Sequence, residues 1–276
     1  MTAIVLLVLA TGIAPLVAGL WLLKPSAEKA LPAFGSVLLC TLAFNLTFFW
    51  QELWLVIPKA LTPGLHPVLF HNNHEWTGTA PSVELLQGTG ALATLASGLV
   101  FCSVLAAARG RSASWRLFFF WMAFQGLFQA LSQLAIGAVL AGNDVSRALA
   151  YLHAGDTAKM LVLALAVAAM ALSGGWLARF YPSGSRGRSF GWQILCTALV
   201  AVVLCIPFRE PRNIIEVALI PLIVNLMGAG WLVLGAAWTR PKESPILEVP
   251  SQLWPLLALG AVLAAFQLVL KPGIAF

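Results

Sequence analysis

The sequence predicts an all-α fold, a polytopic helical membrane protein with about eight transmembrane helices in one bundle. Three observations carry that prediction. Of the 276 residues 60% are apolar and only 9% charged, where a soluble domain carries about 25% charged residues. The mean hydropathy is +0.90. The apolar residues also form long continuous runs, without the period-two alternation of a membrane barrel, so the backbone must satisfy itself as helices. The whole chain, 1–276, reads as a single transmembrane domain.

A helix needs roughly 20 apolar residues to cross about 30 Å of hydrocarbon. The first run that long is 3–23. No basic segment precedes it, and its length suits a retained span rather than a cleaved leader. The second, 33–57, carries Asn45 midway and Gln51 and Glu52 near its end. A long polar connection, 58–84, leads to the third span, 85–108, which opens on Gly88 and Gly90. Such small residues allow close helix packing. The fourth, 116–142, carries Gln125, Gln129 and Gln133 at four-residue spacing, and amides on one face in lipid must find partners or a wet cavity. The connection 143–156 precedes the fifth span, 157–178, where Asp156 and Lys159 are spaced to pair. The sixth and seventh, 190–208 and 213–238, are joined through Arg209, Glu210 and Arg212, which with Glu216 suggest a headgroup-facing charge cluster. A polar linker, 239–251, precedes the eighth span, 252–271.

Composition excludes disorder, collagen and a disulfide scaffold. Cys40, Cys102, Cys196 and Cys205 all lie inside apolar runs and read as small packing residues. The net charge of +6 sits in short connections, which is the pattern of topological signals and not of a nucleic-acid surface. The odd-numbered connections carry ten basic residues, Lys24, Lys29, Arg109, Arg111, Arg116, Arg179, Arg186, Arg188, Arg240 and Lys242. The opposite face carries six, Lys59, Arg147, Lys159, Arg209, Arg212 and Lys271. The more basic face is expected in the cytoplasm, with both termini outside, in a bacterial inner membrane. Trp21, Trp115, Trp176, Trp192, Trp238 and Trp254 mark the inner interface.

The unusual polar residues gather on the other, outer face. Connection 58–84 holds His66, His71, His74 and Glu75, and connection 143–156 holds Asn143, Asp144, His153 and Asp156. On a helix His71 and His74 would point the same way and grip one ion. His153, with Asp144 or Asp156, would complete the shell, and Glu75 or Glu52 would take a proton from bound water. Imidazole and carboxylate ligands suit zinc, with iron or manganese as alternatives. The plainer expectation is a hydrogen-bonded polar loop around Asn72 and Asn73. Glu52 likewise has two readings: an interfacial carboxylate paired with Lys59, or a proton carrier at the bottom of an outer cavity.

Three segments in order resemble the site-2 protease-type intramembrane metalloproteases. Gln51-Glu52-Leu53-Trp54-Leu55 is similar to their H-E-x-x-H, Gly88-Thr89-Gly90-Ala91-Leu92-Ala93 to their small-residue segment, and Gln133-Leu134-Ala135-Ile136-Gly137 with Gly142-Asn143-Asp144-Val145 to their N-x-x-P…L-D-G segment. The resemblance implies Glu52 as general base and Asp144 as third metal ligand. Gln51 and Leu55 stand where the family has its two zinc-binding histidines.

These residues predict a metal-dependent hydrolase that meets a lipid-linked or membrane-embedded amide or ester from the outer leaflet. The alternatives are a permease for a small solute or metal, with Glu52, Asn45 and the glutamine stripe as its path, and a non-catalytic assembly subunit whose partner in a membrane complex covers the outer loop.

Overall fold

A computed structural model describes residues 2–26, 31–108, 110–181, 187–210, 213–239 and 251–276. Eight helices are long and apolar enough to cross a membrane: α1 (Val5–Leu22), α2 (Phe34–Ala60), α3 (Val83–Ala107), α4 (Ala113–Val139), α6 (Asp156–Ala178), α7 (Gly187–Phe208), α8 (Ile215–Trp238) and α9 (Leu253–Leu270). A short amphipathic helix, α5 (Asp144–Tyr151), lies between α4 and α6. The protein is an integral membrane protein built as a helical bundle, with each span where hydropathy puts it.

Lipid favours neither side of an apolar helix, so polar bonds and close packing sort the spans. α2 and α4 form the centre, with 72% of their apolar windows buried, whereas α3, α6 and α9 are 22–28% buried and turn most of their surface outward. The core lies around Trp121, Phe120, Phe124 and Phe128 of α4, with Met170, Ile194 and Leu232 from its neighbours. Glycine lets α3 and α4 approach closely. A β-carbon on Gly126 of α4 would fall 2.6 Å from the Gly98 α-carbon of α3, so neither position tolerates a side chain. All four cysteines are free, in keeping with a packing role. Three spans contain π-helical segments, Leu9–Ile13, Ile215–Leu219 and Phe266–Leu270.

The connection 58–84 departs from the expected loop. It folds as an antiparallel hairpin of β1 (Leu65–Leu69) and β2 (His74–Gly78), with Leu69 opposite His74. The C-terminal strand β3 (Ile274–Ala275) adds to the free side of β1, in the order β2-β1-β3. Phe70 N–H bonds Asn73 C=O at 3.0 Å and closes the hairpin tip. The tip is anchored to the connection after α7, where Asn72 Nδ2 donates to the Glu210 carbonyl (2.6 Å) and Glu210 N–H donates to Asn72 Oδ1 (3.2 Å). The plainer expectation of a hydrogen-bonded polar segment around Asn72 and Asn73 thus holds in part, with strands on either side.

Lys29, Arg109, Arg186, Arg212, Arg240, Lys242 and most of the 239–251 linker lie outside the described residues. Two expected charge pairings change. Asp156 stands exposed in the first turn of α6, where a carboxylate complements the helix dipole, and no Asp156–Lys159 ion pair forms among the described residues. Arg209 does not face headgroups: it is buried, with its guanidinium 4.1 Å from the Phe48 ring centroid and 5.4 Å from that of Phe44. Its aromatic floor desolvates it and pulls its pKa down to about 10.

Candidate functional site

The hairpin brings His74 onto Glu52. α2 presents Glu52 at 6% exposure, and β2 opens with His74, whose Nδ1 lies 2.8 Å from Glu52 Oε2. The other imidazole nitrogen, Nε2, lies 3.3 Å from Oε1 of the fully buried Gln87. Lys59, one helical turn after Leu55, donates to the Leu55 carbonyl at 2.8 Å and to the same Gln87 oxygen at 3.4 Å. An ammonium can only donate, so Lys59 fixes the Gln87 oxygen as the atom facing both partners. His74 Nε2 must then carry a proton, and one further proton is shared on the Nδ1–Oε2 line, as an imidazolium–carboxylate or as a neutral pair.

Trp76 roofs this pair. Its ring stacks on His74 at 5.7 Å and receives Lys59 at 5.0 Å and Arg147 at 5.3 Å. Arg147 in turn holds Glu84 through two bonds, 2.6 and 3.0 Å. Asp144 belongs to the same electrostatic group. Asn143 caps α5 by accepting from Ser146 N–H at 2.8 Å, which sets Asp144 in the first turn. Burial holds the Asp144 carboxyl above its ordinary range, and the Glu52 charge pushes the same way against His74, Lys59 and Arg147.

Asp144 also lines a cavity of about 290 Å³ with Gln51, Gln129, Gln133, Asn143, Phe48 and Ile223 among its walls. The glutamine stripe of α4 serves both purposes expected of it. Gln125 ties α4 to α8 through Asn225 (2.9 Å), and Gln133 ties α4 to α2 through Gln51 (2.6 Å). Gln129 and Gln133 face the cavity as well. Asn45, on the inward side of Glu52, donates to Thr41 C=O and Cys205 Sγ and does not line the cavity.

The residues expected to share one metal ion are not gathered as one ligand set. His71 and His74 lie at the tip and on a strand, not on a helix, so their three-residue spacing does not aim them together. His71 is buried against Phe266, its ring 5.3 Å away, and neither ring nitrogen makes a well-formed hydrogen bond. Burial lowers its pKa, and the Phe208 backbone offsets this only in part. Glu75 is exposed on β2, and His153 is exposed at the end of α5 with φ +52°. Asp156 is exposed on α6. Among the described residues, no three His, Cys, Asp or Glu side chains are placed to hold a metal ion. The donor set expected for zinc, iron or manganese is thus not assembled among the described residues. Of the residues singled out from sequence, Glu52, His74 and Asp144 come together and His71, Glu75, His153 and Asp156 do not.

Gln87, Arg147, Glu84 and Trp76 are the site residues that sequence reasoning missed. Gln87 carried a signal, being a lone amide at the mouth of an apolar span, but its neighbours Gly88 and Gly90 drew the packing explanation. No family model, curated protein or solved structure matches the chain.

Proposed function

We propose that the protein is a permease that admits a small amphiphilic solute to the glutamine-lined cavity and couples its binding to proton exchange at Asp144. The observation that carries this is the position of Asp144. It is the ionisable side chain among the described lining residues, and it interacts electrostatically with the proton-sharing His74–Glu52 pair. A carboxyl with a raised pKa can hold either a proton or a ligand's charge. The helix opposite supports the same function: the π-helical segment Ile215–Leu219 of α8 ends where the cavity wall begins at Ile220. Such π segments recur at functional sites and interrupt regular helix packing. With the hairpin end outside, as the basic residues suggest, the cavity serves the outer face of a bacterial inner membrane. The test is proton movement in liposomes containing the protein and a trapped pH dye, on addition of candidate solutes. A solute-dependent pH change that is lost in Asp144→Asn and Glu52→Gln is expected; an undiminished change in both variants would overturn the assignment.

One observation favours hydrolysis of a lipid-linked or membrane-embedded amide or ester instead. The three segments that resemble site-2 proteases meet: a β-carbon on Gly90 would touch Gln51 and Leu55, and Gln133 bonds Gln51. Glu52 would then be the base that activates water. Gln51 and Leu55 supply no histidine there, so no step through a metal is drawn. Release of product from a labelled membrane ester, lost in Glu52→Gln, would distinguish this activity from transport.

A further inference from the structure

We infer that the ligand of the cavity is a protonated primary or secondary amine on a short apolar body, donating N–H to the Gln129 carbonyl and the Asp144 carboxylate. This rests on the cavity being the solute site.

The argument starts from a backbone carbonyl. Asn225 Nδ2 bonds the Pro221 carbonyl at 3.0 Å, and a carbonyl can only accept, so the orientation of the Asn225 amide is fixed. Its Oδ1 therefore accepts from Gln125 Nε2, at 2.9 Å. Gln125 Oε1 then accepts from Gln129 Nε2, at 3.1 Å. Each amide is oriented by the one before it, and the bonded N–H of each points back along the chain. What remains at the end of the chain is Gln129 Oε1, an acceptor with no partner, on a residue that lines the cavity and is 1% exposed. A buried carbonyl oxygen without a donor is unfavourable, so the chain is completed by a ligand that brings one.

The second observation is charge. Ionised Asp144 offers acceptors only, and no lysine, arginine or histidine is among the described lining residues. Arg209 lies behind the wall, over the Phe48 ring. That aromatic surface is thus already engaged by a cation, and a ligand's charge falls to Asp144. The remaining wall, Ile136, Leu140, Ile220 and Val224, accepts an apolar body. An anionic ligand would meet the Asp144 charge, and a neutral one would gain no ion pair with it.

The experiment is calorimetric binding to the full-length protein in nanodiscs, using 2-phenylethylamine, its trimethylammonium analogue, 2-phenylethanol and 3-phenylpropanoate. The primary amine should bind about tenfold more tightly than the trimethyl compound, the effect of one charge-assisted hydrogen bond. Gln129→Leu should shrink this preference to what the Asp144 hydrogen bond alone provides, and Gln129→Glu should keep it, guarding against a folding defect in the first variant. Asp144→Asn should weaken both cations about tenfold or more and spare 2-phenylethanol. Equal or tighter binding of 3-phenylpropanoate, or an amine preference untouched by Gln129→Leu, overturns the amine assignment. If an uncharged or anionic probe binds at least as tightly as the amine and Ile223→Trp blocks it, the cavity stands as the solute site and the amine class alone falls. If none of the probes binds the folded protein, the solute site falls with it.

Discussion

Glu52 and His74 are 22 residues apart, one on a membrane helix and one on an extramembrane strand, and their side chains meet at 2.8 Å. Both side chains are nearly closed to solvent, at 7% and 8% exposure. The contact joins the hairpin to the bundle through a shared proton. It also explains why a carboxylate is tolerated inside α2 without lysine as its direct partner: Lys59 is spent on Leu55 and Gln87.

The pair should therefore behave as one unit. His74→Ala and Glu52→Gln are each expected to lower stability by about 1–3 kcal/mol, the cost of leaving a buried polar partner unmatched. The double variant should be little worse than either single one. Thermal unfolding of the four proteins in one detergent gives the cycle. Additive losses would mean that the two side chains do not depend on each other.

His71 should respond to pH by a different route. Burial lowers its pKa, so the folded protein binds fewer protons than the unfolded chain between that lowered value and about 6.5. Its contribution is therefore fully present above about pH 6.5 and is lost as pH falls through this window. The hydrogen-exchange protection factors of the 65–78 hairpin should fall on acidification, since protonated His71 would sit against Phe266 and near Arg209. His71→Phe keeps the stacking and removes the titration, so it should hold protection at low pH. An equal acid-induced loss of protection in that variant would count against the mechanism.

Hydropathy made the spans legible because lipid imposes one rule on every crossing segment. Even the gathering of polar groups at one end followed from counting spans. The hairpin was not legible: Pro67 interrupts the strand pattern, and an Asn72–Asn73 tip is as compatible with a loop as with a turn. Helical spacing was therefore assigned to His71 and His74, which the strand and its tip undo. The partners of His74 were hidden for a second reason. Glu52, Gln87 and Asp144 lie far apart in sequence, and only the packing of α2, α3 and α5 reveals which amide and which carboxylate stand beside the imidazole. The amide chain from Pro221 to Gln129 is half visible in sequence, as a four-residue repeat, because nothing in the spacing ties it to Asn225 on α8.

The α3–α4 contact gives a test of the bundle itself. A side chain at Gly98 would set its β-carbon 2.6 Å from the Leu127 backbone nitrogen, whereas one at Gly260 of α9 meets nothing within 4 Å. Gly98→Val should cost about 1–3 kcal/mol through forced separation of the helices. Gly260→Ala should be neutral or stabilising by up to about 1 kcal/mol, since it only removes glycine's conformational freedom. Unfolding in detergent compares them. Equal behaviour of the two variants would mean that α3 does not press on α4 at this point.

Asp144 carries the clearest pH dependence on stability. Its carboxyl is held above the ordinary range chiefly by burial and then by Glu52, so the folded protein binds this proton more tightly than the unfolded chain does. The stabilisation is fully present below the ordinary value of about 3.9 and is lost as pH rises through the raised one. Asp144→Asn removes the charge without changing the shape. It should raise the melting temperature relative to the parent at about pH 8, and the gain should vanish at about pH 4. A group placed for stability alone would not behave so, because its ionised form would be the favoured one in the fold. The same substitution should abolish solute-dependent proton movement, so stability and function are expected to move in opposite directions at one residue. A variant with lower melting temperature at high pH would show instead that ionised Asp144 is held by Arg147 or Lys59 as a structural ion pair.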